Sequence, residues 1–400
     1  MKDNRGKFIM EMKKIASLAL SLSLCAGLLA GCGDNGNGGG SNGGAAGGDG
    51  DKPESYKVAF IGSFTGNQAQ YGESQRASIE MYLEKFNADG GVDGVPVVVD
   101  WYDDKSDPKE TVTVGNKILG DDSVIAAIGP FSSTSAMAIA PMFEEAGITL
   151  YSPSSSHPDF TNMGEYMFRG TPTQEYYVQE YAKYISDVMG CKKIGMIYVN
   201  SDYGVVIHDL FIPEIQKYGG ELVVAENYIV GQTKDFSPLI SKIKTQDIDC
   251  LYIVGHYAEG AQIISQAKKL QLDVPYIGTA SLMKQELIDI CGDAADGFLL
   301  LNNFTPDNDA PGFQEWLAEF EERNPNISVD AHVVNTYDTI DMICQAIQNV
   351  GADRAAVRDW INAQAEFPGI GGTFSMAENG DAIKPLFPMI VKDGHFVSNA

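Results

Sequence analysis

The 400-residue chain reads as an α/β protein with two doubly wound, parallel-sheet lobes. Two patterns predict the sheets. Short apolar, β-favouring runs alternate with amphipathic stretches of helical length, and the runs are continuously apolar, as strands covered on both faces are. A third observation predicts two lobes: the alternation starts afresh after Arg169-Gly-Thr-Pro172, and ~345 residues of body exceed the usual span of one domain.

The elements follow in order. Lys57 to Ile61 is a strand, and Gln70 to Asn87 is a helix with Ile79, Tyr82, Leu83 and Phe86 on one face. Val95 to Tyr102 and Pro108 to Leu119 repeat the pair, then Val124 to Ile128 and Thr134 to Glu145, with Thr149 to Tyr151 closing the series. The second series runs through helix Gln174 to Val188, strand Lys193 to Tyr198, helix Gly204 to Tyr218 and strand Glu221 to Tyr228. It continues with helix Pro238 to Lys244, strand Cys250 to Val254, helix Glu259 to Leu270, and strands Tyr276 to Gly278 and Phe298 to Leu301. Helices Pro311 to Arg323 and Thr336 to Val350 and a last strand, Phe387 to Val391, complete the chain.

Ahead of the body, Lys13-Lys14 precede an uncharged run from Ile15 to Ala30 that ends in Leu28-Leu29-Ala30-Gly31-Cys32. Basic, apolar and small residues in that order make residues 1–31 a secretory signal peptide, since a membrane span needs about 20 apolar residues. The cysteine after Leu-Ala-Gly is similar to a bacterial lipobox, which implies lipidation of Cys32 and anchoring by two or more acyl chains. Residues 32–55 are rich in Gly, Asn, Ser and Asp and lack the apolar surface to order themselves, as expected of a tether.

The formal net charge is −26, and removing the basic leader leaves the body more acidic still. Such a surface repels phosphate backbones, which excludes nucleic acid as a partner. Cys191, Cys250, Cys291 and Cys344 are isolated, with no metal-type pairing, and read as buried thiols. No GxSxG elbow, HExxH, P-loop or strand-linked GxGxxG is present, and the five histidines show no ligand spacing. The chain therefore reads as a non-enzyme without cofactor or metal.

Several motifs occur in a telling order: Lys57-Val-Ala-Phe-Ile-Gly-Ser-Phe-Thr-Gly66, Gln70-Tyr71-Gly72, Asn87-Ala-Asp-Gly-Gly91 and Tyr102-Asp-Asp104 with Asp107-Pro108. Asp202-Tyr203-Gly204 and Lys234-Asp235-Phe236-Ser237 follow. Together, over residues 56–393, they resemble the substrate-binding proteins of branched-chain amino-acid ABC transporters, the type I periplasmic-binding fold of the leucine/isoleucine/valine-binding family. The resemblance implies lobe 1 from residues 56–173 plus 304–383 and lobe 2 from 174–303 plus 384–400, joined by a three-crossing hinge. It also implies a lipid-anchored monomer outside the cytoplasmic membrane, which captures a small carboxylate-bearing solute of amino-acid type and hands it to permease subunits. A ligand-sensing lipoprotein, or a binder of a non-amino carboxylate or amide, remains open beside it.

Gly129-Pro-Phe-Ser-Ser-Thr-Ser135 ends a strand and opens a helix, so hydroxyls and free N–H groups meet any anion there. The resemblance assigns the ligand carboxylate to this turn and to Ser152-Pro-Ser-Ser-Ser156, at Ser133, Ser154 and Ser156. Tyr71, Phe131 and Tyr203 match positions that pack against the ligand. Where many amino-acid binders of the family place an acid for the α-ammonium, this chain has Ala280. Asp202 or Glu259 is then expected to take that role, or the ligand has no ammonium. His256, Tyr257 and His332 are further candidate contacts.

Overall fold

The computed structural model describes residues 52–399. The signal peptide, Cys32 and nearly all of the tether lie outside these residues. A five-stranded sheet holds β1 (Tyr56–Gly62), β2 (Val97–Asp103), β3 (Val124–Ile128), β4 (Thr149–Ser152) and β5 (Met167–Arg169), in the order β2-β1-β3-β4-β5. All its pairings are parallel, β1 taking β2 on one side from Tyr56 opposite Val97 and β3 on the other. Successive strand residues point to opposite faces. Thus Val58 and Phe60 pack under α1 (Ala69–Ala88) and α10 (Ala331–Val350), while Ala59 and Ile61 pack under α2 (Pro108–Leu119) and α3 (Ser133–Ala146). Covering both faces explains why β3 and the inner part of β1 are apolar, whereas the edge strand β2 is half-exposed and carries Asp100 and Asp103.

The second sheet has seven strands in the order β15-β14-β10-β9-β8-β6-β7. They are β6 (Lys193–Val199), β7 (Glu221–Tyr228), β8 (Cys250–Val254), β9 (Tyr276–Gly278), β10 (Leu299–Asn302), β14 (Phe387–Lys392) and β15 (His395–Ser398). One face is covered by α4 (Gln174–Lys183) and α5 (Asp202–Lys217), the other by α6 (Ser237–Lys244) and α7 (Tyr257–Lys269). The last two strands differ from the parallel expectation: β14 runs antiparallel to β10 and pairs with β15 as an edge hairpin.

Several elements escape the sequence reading. These are β5, α8 (Gln285–Cys291), α11 (Arg354–Asn362), β15, and a small antiparallel sheet of β11 (Phe367–Gly369), β12 (Gly372–Met376) and β13 (Ala382–Ile383). Helix α9 (Phe313–Arg323) and the 20-residue α10 complete the set, and α10 starts five residues before the sequence places it because Asp330 caps it, accepting from the Val333 N–H at 3.0 Å. The four body cysteines are free thiols; three are buried, Cys291 is partly exposed, and the Cys191 thiol donates to the carbonyls of Met189 and Asp249.

Candidate functional site

Both sheets end at one cavity of about 380 Å³, lined by loops that follow the carboxyl ends of their strands. That is where the geometry of an open α/β sheet leaves room for a ligand. From the first sheet come the turns after β2, β3 and β4. From the second come those after β6, β8 and β9.

The turn after β3 is shaped by Gly129, whose φ of 103° belongs to glycine and whose missing side chain lets Ile61 O approach. It delivers Phe131, Ser133 and Thr134 to the cavity at the start of α3. The N-cap residue Ser132 makes no side-chain cap bond, so the first N–H groups of α3 face the cavity without a protein acceptor. Ser133 is buried, and its hydroxyl meets Ser155 Oγ at 3.5 Å. The turn after β4 is folded on itself: Ser152 Oγ donates to Pro130 O at 2.8 Å and accepts from the Ser155 N–H. Ser154 and Ser156 then line the cavity. Ser154 Oγ is engaged by Gln75 Nε2 at 3.1 Å and by His332 Nδ1 at 3.2 Å. Ser156 accepts from the Gln174 N–H through its carbonyl, which leaves its hydroxyl to the cavity.

An aromatic wall stands opposite. Phe131 stacks on Tyr71 with centroids 4.2 Å apart, His332 meets Phe131 at 5.0 Å, and Tyr203 stacks on His256 at 5.8 Å. Burial pushes both imidazoles down to about 4. For His256 the neighbouring His332 adds to the shift, and for His332 the opposing pull of Asp330 does not offset it. Both rings are therefore neutral at pH 7.

The structure brings Phe131, Ser133, Ser154, Ser156, Tyr203, His256, Ala280 and His332 to the cavity. Four expected contacts fall elsewhere. Tyr71 is fully buried behind Phe131, where its hydroxyl donates to Ser281 O at 2.8 Å and ties the two bodies together. Tyr257 packs edge-on against Tyr71, away from the cavity, because its position is the first turn of α7. Asp202 is exposed on the first turn of α5, and only its neighbours Ser201 and Tyr203 line the cavity. Glu259 is buried but accepts from the Gly231 N–H. Conversely, Thr171, Gln174, Thr279 and Asn303 line the cavity and were missed. The available signal was their place just after a strand or beside a crossing between the sheets.

Two sheets whose parallel strands end at a shared cavity define a small-solute binder of the two-body α/β type. The periplasmic binding protein family matches residues 55–395, and the chain belongs to that family. It is thus an exported, extracytoplasmic solute-binding protein and not an enzyme. A leucine-, isoleucine-, valine-, threonine- and alanine-binding protein of Pseudomonas aeruginosa is 30% identical over 332 residues, 82% of this chain and 87% of the relative. A crystal structure of a leucine-binding protein from Thermotoga maritima superposes with a TM-score of 0.79 at 26% identity, covering 86% of this chain and 97% of that one. A branched-chain amino-acid transporter binding protein from Streptococcus pneumoniae, solved with isoleucine, gives a TM-score of 0.80 at 23% identity over 86% of this chain and 97% of that one. Among the described residues no helix is long and apolar enough to cross a membrane.

Proposed function

We propose that this protein captures a small carboxylate-bearing solute of the amino-acid size class between its two lobes and delivers it to the permease subunits of an ABC transporter. One observation carries this reading: the uncapped start of α3, with Ser133 and Ser156 beside it, opens into the cavity shared by the two sheets. Helix N-termini and hydroxyls are the groups that hold a carboxylate without a formal cation. Lobe 1 takes residues 56–173 plus 304–383 and lobe 2 residues 174–303 plus 384–400, with hinge motion at the three crossings opening and closing the cleft. Relatives that bind leucine, isoleucine and valine support the amino-acid size class.

Cys32, outside the described residues, carries the lipid that holds the monomeric protein at the outer face of the cytoplasmic membrane, with residues 33–55 as the leash. A thermal-shift screen of amino acids and simple carboxylates tests the binding function. A true ligand at a hundredfold excess over Kd adds about 2.7 kcal/mol of stability. A screen in which amides alone stabilise the protein would overturn the carboxylate assignment.

A further inference from the structure

No buried carboxylate lines the cavity. Its lining includes two charged side chains, Lys105 and Asp107, both exposed. Asp107 is committed to the start of α2, where one carboxylate oxygen accepts from the Lys109 N–H at 2.8 Å and the Glu110 N–H at 3.3 Å. The buried carboxylates nearby are also engaged. Asp330 pairs with Lys284 at 2.9 Å, and Asp338 pairs with Lys384 at 2.9 Å. Asp104 is held by Ser63 and Thr111, and Glu259 by the Gly231 N–H. None of these four lines the cavity.

The fixed dipoles push the same way. Helices α3, α5 and α7, of 14, 16 and 13 residues, all begin at the cavity, and none has a side-chain cap bond. Each uncapped start carries roughly half a positive charge. One comes from the first sheet's side and two from the second, so a ligand in the cleft sees positive ends from both directions. An enclosed ammonium would meet these dipoles and two neutral imidazoles, with no carboxylate to repay its lost hydration.

We propose that the cavity selects carboxylates that lack an ammonium group, such as 2-hydroxy, 2-oxo or unsubstituted monocarboxylic acids. This rests on the carboxylate reading above and narrows it. Gln174 offers a neutral acceptor that a ligand hydroxyl can fill, without the negative charge an ammonium needs. Its Nε2 is fixed on Tyr203 O at 3.0 Å, and its buried Oε1 has no partner among the described residues.

Calorimetry with the purified protein tests the proposal. Leucine, valine and phenylalanine would each be titrated against the 2-hydroxy and 2-oxo acids of the same side chain, with leucinamide as the carboxyl-free control. In every series that binds, the ammonium-free acid is expected to bind more than about tenfold tighter than the amino acid, a difference of about 1.4 kcal/mol. An amino acid that equals or exceeds its hydroxy acid overturns the proposal and leaves the carboxylate reading standing. Binding of leucinamide with no acid of any kind overturns both. Ala280→Glu places a carboxylate on the cavity wall and is expected to shift preference about tenfold or more toward the amino acid. An unchanged ratio in that variant also counts against the proposal.

Discussion

Replacing Lys284 by methionine leaves one buried carboxylate without its counter-charge. The Lys284 side chain is 0% exposed and Asp330 is 3% exposed, with Nζ and Oδ2 2.9 Å apart. Lys284 follows β9 of the second sheet, whereas Asp330 caps α10, which packs against α1 and the first sheet. The pair therefore spans the two bodies, and it sits under Tyr71, whose ring lies 5.2 Å from the ammonium. Breaking a buried pair by removing one partner costs about 3–5 kcal/mol. Opening the cleft would hydrate Asp330, so the cost falls on closure and reaches the ligand as lost affinity. About 3 kcal/mol corresponds to roughly a hundredfold increase in Kd. Lys284→Met/Asp330→Asn removes both charges while the amide oxygen can still cap Val333, and it should recover to within about tenfold of the unmodified protein. Burial pushes the Asp330 carboxyl up, but the Lys284 charge, His332 and the hydrogen bonds from Lys284 and the Val333 N–H together hold it below the ordinary range. The pair's contribution is thus present above about pH 4 and lost as pH falls further. Calorimetry and urea denaturation of the three variants decide the matter. Unchanged affinity in Lys284→Met, or a double variant as weak as the single, would refute a closure role for this pair.

Three further outcomes are expected. Ser133→Ala and Ser156→Ala should each weaken binding of a carboxylate tenfold to a hundredfold, for a charged hydrogen bond of about 1.5–3 kcal/mol. Ser154→Ala should cost less, since Gln75 and His332 already hold that hydroxyl; equal losses at all three in calorimetry would place the carboxylate differently. His256 and His332 have folded pKa values of about 4. Against about 6.5 unfolded, the unfolded chain binds more protons between those limits and stability falls as pH drops through that window. Urea midpoints at pH 7 and near pH 4.5 should differ less in His256→Gln/His332→Gln, and an identical dependence would remove the histidines from this role. Cys32→Ser should abolish incorporation of labelled fatty acid and release the protein from membranes; equal labelling of the variant would rule out Cys32 as the lipid site.

The sequence alone determined most of the architecture. Strands buried on both faces announce themselves as apolar runs, so β3, β8 and β9 were legible to the residue, as were the half-exposed edge strand β7 and α2 between Pro108 and Gly120. The short strands β5, β11 and β13 span two or three residues, too few to show any period, and their pairing partners supply what their composition lacks. The serine turns at Ser133 and Ser156 were proposed from the family resemblance, and the strand-to-helix turn before α3 independently marked Ser133 as a place where hydroxyls and free N–H groups meet. Direction elsewhere was set by packing across long separations. Only the tertiary structure put Tyr71 behind Phe131, turned Asp202 to solvent and brought Lys284 to Asp330, which are 46 positions apart in the chain. A single residue's neighbours in sequence fix its phase on a strand or helix, whereas the charges surrounding it across a cleft are fixed only when two sheets meet.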